Sequence, residues 1–212
     1  MEDEASKPKP KKRISLRCER RDAVQNRYLI RAAAEHLFRA VGSIENVNMH
    51  QIAKAAGVGQ GTLYRHYAHK ANLCLDMLKE SSEAFLQETQ TWIEVRATVS
   101  DEMEILKEVI TRTIDFTDTR LALLLEVDNA SFMSDNPFYR QIHEMISRLL
   151  EPIVARQPAL QALNPTFTAD MILSAIGPRM FIFERQVRGY SKVEFLTNIL
   201  NTYIVGFLRG NL

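Results

Sequence analysis

The sequence predicts an all-α protein in which an N-terminal three-helix domain of helix-turn-helix outline precedes a larger helical domain, about nine helices in total. Three observations carry this expectation. Apolar residues recur at helical spacing along most of the chain, and three short helices with their own start and stop signals fit between Asp22 and Lys70. The run that looks most like a strand, LALLLEV at 121–127, is flanked by helical patterns.

Taking the elements in order, residues 1–21 are rich in Lys, Pro and Arg and read as a basic arm that stays flexible in isolation. Ile30, Ala33, Ala34, Leu37, Phe38 and Val41 then mark a first helix. Asp22 with Gln25 resembles a capping box at its start, and Gly42 suits the left-handed residue beyond its end. Asn48 with Gln51 opens a second helix that Gly57 stops, and residues 60–67 form a third. Lys70 begins a longer helix to about Arg96. Further helices are expected from Ser100 or Asp101 to Thr117, from Thr117 to Met133, and from Asn136-Pro137 to Gln157-Pro158. Two more cover roughly 168–189 and 191–209, split by Gly189, with Gly177-Pro178 kinking the first of them. The domain boundaries expected are therefore 1–21 for the arm, 22–70 for the three-helix unit and 71–212 for the remainder.

The stretch AGVGQGTLYRHYAHK holds three alternate glycines, Gly57, Gly59 and Gly61. Their G-x-G-x-G spacing fits neither the dinucleotide fingerprint nor a P-loop, and a helix rather than a strand precedes them. A tight turn explains them better. Gly57 ends the second helix, Gly59 takes the cap position of the third, and Gly61 keeps the first turn of that helix small. At 100° steps Leu63 and Tyr67 point into the core. Gly61, Thr62 and Arg65 point outward, flanked by Tyr64 and His66, a set of groups suited to base edges and phosphates in a major groove.

Charge is divided in the same sense. The net charge is +1, but residues 1–70 hold 14 Lys/Arg against 7 Asp/Glu, and the rest hold 13 against 19. A basic N-terminal third meets a polyanion more readily than the acidic remainder does. Lys11, Lys12, Arg13 and Arg17 are expected to add mainly sequence-independent affinity through phosphates or a minor groove.

No run is apolar enough to span a bilayer, and the first residues lack a secretory core, so a cytoplasmic location without membrane contact is expected. Cys18 and Cys74 are too few for a disulfide scaffold. Catalysis has little support. His143-Glu144 starts like a zinc-protease motif, but Ser147 stands where its second His belongs. No catalytic set, cofactor or metal site is expected.

The run YLIRAAAEHLFRAVGSIENVNMHQIAKAAGVGQGTLYRHYAHKANLCL resembles the DNA-binding domain of the tetracycline-repressor (TetR) family of bacterial regulators. The likeness rests on the Ala-Ala and Leu-Phe of the first helix, Ile-Ala-x-x-Ala-Gly-Val in the second, and Gly-Thr-Leu-Tyr-x-His-Tyr with Lys three residues on. It implies that Gln60, Gly61, Thr62 and Arg65 meet bases, and that Tyr64, His66 and Lys70 hold the phosphate backbone. Two departures are Gly59, where the family commonly has Ser or Thr, and His69, where a Ser, Asn or Asp cap is common.

The resemblance also implies a dimeric repressor, released from a near-palindromic operator by a small-molecule effector. Helices near 168–189 and 191–209 would form the homodimer. An effector pocket is expected from Trp92, Met103, Phe116, Phe132, Met133, Phe138, Met145 and Met171, with Asp115, Glu126, Asn129 and His143 as polar contacts. The alternative is a DNA-binding, chromosome-organising or partner-binding protein of the same fold without an effector.

Overall fold

The computed structural model describes residues 12–98, 100–128 and 136–205, with side chains from Asp22 onward except those of Ala159, Ile204 and Val205. Among these residues there is no strand. The elements are α1 (Lys12–Val41), α2 (Met49–Ala56), α3 (Gln60–His66), α4 (Lys70–Arg96), α5 (Glu102–Asp128), α6 (Pro137–Arg156), α7 (Pro165–Ile176), α8 (Pro178–Ile182) and α9 (Lys192–Leu200). The chain divides into two compact units, Met1–Leu73 and Cys74–Leu212.

In the first unit α1 begins at Lys12, well ahead of the start expected at Asp22. Asp22 lies inside the helix and caps nothing at its start. The reason is compositional. No Gly or Pro occurs between Lys11 and Val41, and Lys, Arg and Glu are good helix formers, so nothing stops the helix on its N-terminal side before Pro10. The residues 12–21 assigned to a flexible arm are therefore helical. At the other end Gly42 takes φ 69° and its N–H reaches Phe38 O at 3.0 Å.

The start of α2 follows the sequence closely. Asn48 Oδ1 accepts from Gln51 N at 3.0 Å, and Gln51 Oε1 accepts from Asn48 N at 2.8 Å. Gly57 at φ 67° closes the helix onto the Ala53 and Lys54 carbonyls. Helix α3 has only 7 residues, a glycine cap without a side-chain bond, and a glycine at its second position. It is too short to persist alone. Leu63, Ile30, Ile52 and Leu73 are fully buried. At about 1.5–3 kcal/mol for each such side chain, burial outweighs the ~1 kcal/mol that a helical glycine costs. Packing, not propensity, holds α3.

In the second unit α5 runs on by hydrogen bonding, yet two helical halves meet at a kink close to the junction expected at Thr117. Its single non-helical residue is Arg120 (φ −126°, ψ 17°). With no Gly or Pro between Glu102 and Asn136 the helix has no reason to stop at Thr117. It does have a reason to bend, since Thr111, Thr113, Thr117 and Thr119 all donate to carbonyls one turn back, at 2.7–3.1 Å.

Asn136 and Asn164 cap α6 and α7 in the same way, each followed by Pro at the first helical position. The expected 168–189 helix is broken rather than kinked. Gly177 is extended (φ −64°, ψ 160°), because Pro178 has no N–H to give and disfavours α geometry in the residue before it. A π turn, Phe183–Val187, follows α8, and Gly189 at φ 80° turns the chain toward α9. Helix α9 gives way to a second π turn at Asn201–Val205. Phe207 and Leu208 of the expected last helix lie outside the described residues. The core is formed by Leu106, Ile110 and Ile114 of α5, Ile142, Ile146 and Leu150 of α6, Ile172 and Ile176 of α7, Phe181 of α8 and Phe195 of α9. No described helix is long and apolar enough to cross a membrane.

Candidate nucleic-acid interface and interior cavity

Helix α3 separates its two faces as its sequence requires. Leu63 is fully buried and Tyr67 is 4% exposed, while Tyr64 is 51% exposed. Gln60, Gly61 and Arg65 are exposed, and Thr62 and His66 are half-buried. The Arg65 side chain is already laid along the helix. Its Nε donates to Gly61 O at 3.1 Å and its Nη2 to Thr62 Oγ1 at 3.2 Å, so guanidinium, hydroxyl and glycine backbone form one patch. A Cβ at Gly61 would meet nothing within 4 Å, so within the protein the glycine relieves no crowding.

Two contacts escape sequence reasoning. Gln60 Nε2 pairs with His50 Nδ1 and ties the start of α3 to α2. The cap missing at His69 is supplied from the other direction, because Asn72 Oδ1 accepts from the His69 N–H at 3.1 Å. A capping pair normally shows itself by a Ser, Thr, Asn or Asp at its first position, and His69 gives no such sign.

Lys70 stands apart from the expected phosphate contacts. Its Nζ donates to Ile44 O at 2.8 Å, Val47 O at 3.2 Å and Glu45 O at 3.4 Å. All three N–H groups thus close the α1–α2 loop. The ammonium is a clamp inside this unit, and a phosphate would have to compete with carbonyls. Of the arm, Lys12, Arg13 and Arg17 lie on the first turns of α1, and Lys11 lies outside the described residues.

In the second unit a cavity of about 80 Å³ lies among α5, α6, α7 and the start of α8. Leu124, Val127, Phe138, Ile142, Leu173 and Ile176 make its apolar walls, with Thr113, Thr117, Asn136, Tyr139 and Asp128 at the lining. The Thr113 and Thr117 hydroxyls are spent on backbone carbonyls. Tyr139 OH donates to Asp170 Oδ1 at 2.7 Å, and burial together with this carboxylate pushes the phenol far above its ordinary value. Asp128 is paired with Arg179 at 2.7 Å.

The expected pocket residues scatter. Phe138 lines the cavity, and Phe116 stacks behind it at 4.8 Å between ring centroids. Met103 is buried in the core, and Trp92 packs on the core under the Arg112 guanidinium at 4.7 Å. Asp115 is an exposed ion-pair partner of Lys192 at 2.7 Å. Glu126 is half-buried outside the lining. His143 Nε2 lies 3.2 Å from both Thr166 O and Asp170 Oδ1. Met145 lines a separate groove of about 440 Å³ between α4 and α6, and Met171 is exposed. Asn129, Phe132 and Met133 lie outside the described residues. Apolar type and helical spacing alone do not distinguish a cavity wall from solid core, which is why those residues disperse.

Residues 30–77 match the family described as "Bacterial regulatory proteins, tetR family". Two HTH-type transcriptional regulators of Staphylococcus aureus are 26% and 27% identical over 188 residues, covering 87% of this chain and 96% of theirs. The chain is thus similar to tetR-family regulators, most specifically over residues 30–77. Its fold agrees. FadR of Thermus thermophilus, a TetR-family transcriptional repressor in complex with lauroyl-CoA, superposes with a TM-score of 0.62 at 22% identity, covering 88% of this chain and 95% of that one. FadR of Bacillus subtilis, in complex with stearoyl-CoA, gives 0.59 at 19% identity, covering 84% and 98%.

The match to the tetR family pattern runs from Ile30 through α2 and α3 into the first turns of α4. It encloses the whole of α3 and the Lys70 clamp. By this match residues 30–77 resemble the helix-turn-helix DNA-binding domain of tetR-family regulators.

Proposed function

We propose that the protein is a dimeric repressor that reads a near-palindromic operator with α3 and leaves it when a small apolar molecule occupies the α5–α8 cavity. The observation that carries this reading is the division of α3. Leu63 and Tyr67 anchor it inward, and Gly61, Thr62, Tyr64 and Arg65 are presented together outward. Gln60, though exposed, is partnered by His50 and acts by fixing the start of the helix as well as by reaching a base. Dimerisation is supported by exposed apolar side chains along the last elements, among them Phe167, Met171, Met180, Phe183, Val187 and Val193. Two recognition helices about 34 Å apart would then meet successive turns of one groove.

The apolar walls suit an effector with an apolar tail, and the FadR proteins of the same fold hold acyl-CoA molecules. A cavity of about 80 Å³ is smaller than the ~300–1,000 Å³ of ordinary ligand sites, so binding must widen it. Such widening is how a ligand shifts a population between two arrangements. The small volume is also the observation that favours the alternative, a DNA-binding protein without an effector.

The test begins with genomic fragments selected by the purified protein. Operator affinity is then measured with and without lauroyl-CoA and free fatty acids of graded length. Tight, sequence-selective binding that weakens at least tenfold with one of these supports the whole reading. Binding that no apolar molecule alters leaves the alternative, and indifference to every duplex at low salt removes both. Salt dependence tests the arm. Replacing Lys11, Lys12, Arg13 and Arg17 with Gln should flatten the slope of log affinity against log salt by about 0.9 for each phosphate no longer neutralised. An unchanged slope would show that these residues meet no phosphates.

A further inference from the structure

Arg120 is the single non-helical residue within α5, and it also bonds α5 to α4. Its Nε donates to Ser81 Oγ on α4 at 2.9 Å, and its Nη1 donates to Thr119 Oγ1 at 2.8 Å. The Ser81 hydroxyl in turn donates to Leu78 O at 2.9 Å, so the guanidinium is bonded to a group that is itself bonded to the α4 backbone. On its other side the guanidinium lies over the Phe116 ring at 4.7 Å. Phe116 stacks on Phe138, which lines the cavity, and Phe85 of α4 completes the aromatic group at 4.7 Å from Phe116.

We infer that Arg120 is a positioning residue that transmits the state of the cavity to α4. The inference rests on the effector-release reading and names the contact through which release would be passed. Thr113, Thr117, Leu124 and Val127 of α5 all line the cavity, on both sides of Arg120. Widening the cavity must therefore move the two halves of α5 relative to one another, and the bend at Arg120 is where that motion is taken up. A packed interior changes between discrete arrangements rather than stretching continuously. The planar guanidinium, fixed to Thr119, Phe116 and Ser81 at once, cannot follow the bend without carrying Ser81 with it. The same turn of α5 is held elsewhere by Lys192, 2.7 Å from Asp115 and 3.1 Å from Asp118, so the motion is not free to escape toward α9. Helix α4 begins at Lys70, whose ammonium closes the α1–α2 loop.

Hydrogen exchange on the full-length protein tests this with a substitution in place of a ligand. Ile176→Phe fills the cavity from α7, and Leu173→Phe serves as a second filler. With Arg120 and Ser81 in place, filling should change amide exchange at residues 78–85 at least fivefold. In Ser81→Ala or Arg120→Met the same filler should change it less than twofold, and Ser81→Thr, which keeps the hydroxyl, should restore the response. A merely structural role would alter baseline exchange equally with and without the filler. A response that survives Ser81→Ala and Arg120→Met, or that is absent from the native background, overturns the inference. Operator affinity of the same variants reads the other question. If exchange responds as expected but affinity does not, the release reading fails while the role of Arg120 stands.

Discussion

Gly61→Ala should raise the thermal stability of the protein and at the same time weaken operator binding about fivefold or more. The two effects have separate causes. Gly61 sits in helical geometry rather than the left-handed region, and a Cβ there has nothing within 4 Å. Alanine in an exposed helix is favoured over glycine by about 0.5–1 kcal/mol. Calorimetry should therefore show a higher midpoint. The methyl group would instead stand on the outward face between Thr62 and Arg65, where α3 has to approach base edges. Losing a good base contact costs ~1–3 kcal/mol, roughly fivefold to more than a hundredfold in affinity. Arg65→Gln should produce a loss of similar size with little change in stability, since the Arg65 guanidinium bonds to Gly61 and Thr62 of its own helix. Fluorescence anisotropy at one fixed salt concentration measures both. If Gly61→Ala binds the operator as the native protein does, α3 does not come close to the duplex and its outward face has another purpose.

Lys70→Met should destabilise the protein by about 2–4 kcal/mol in chemical denaturation without any DNA present. A hydrogen bond to a charged donor contributes ~1.5–3 kcal/mol, and the three made here share one ammonium, so they will not add fully. Ile44 and Val47, whose carbonyls the ammonium holds, are themselves buried. Removing the donor takes the ammonium away from the part-buried Val47 carbonyl and leaves Ile44 O with the Val47 N–H alone, in the loop that joins α1 to α2. Were Lys70 instead a phosphate contact alone, the variant would keep its stability and lose about 0.9 from the salt slope. The two outcomes are read in different experiments and cannot be confused.

These two positions also show what a single sequence discloses. Caps and stops are legible where one residue decides them. Asn48 with Gln51, Gly57 and Asn136-Pro137 do in the structure what their side chains dictate, because a cap is a local hydrogen bond and a left-handed φ is a local steric fact. The inward pair Leu63 and Tyr67 is legible for the same reason, one turn of helix apart. Two equally local signals emerge only with the structure. Ser191 with Glu194 forms a full capping box at α9, and Asn164-Pro165 repeats the start already seen at Asn136-Pro137.

What depends on distant neighbours could not be read. Nothing in its spacing shows that Lys70 will reach carbonyls more than twenty positions earlier. Nor does the type of a phenylalanine tell whether it will face a void, as Phe138 does, or sit behind one, as Phe116 does. The cavity is a property of how four helices meet: of the expected pocket residues only Phe138 lines it, beside the Gly177-Pro178 pair expected to kink the chain.

The π turn at Phe183–Val187 has a consequence for comparing this chain with its relatives. A π turn accommodates one residue more than an α turn. Here it stands between α8 and the left-handed Gly189, so the extra residue is taken up before the chain turns and rotates the face of no later helix. A relative in which that stretch is plain α-helix would reach its turn one residue sooner, and an alignment without a gap would set its next helix cap one position out of step with Ser191.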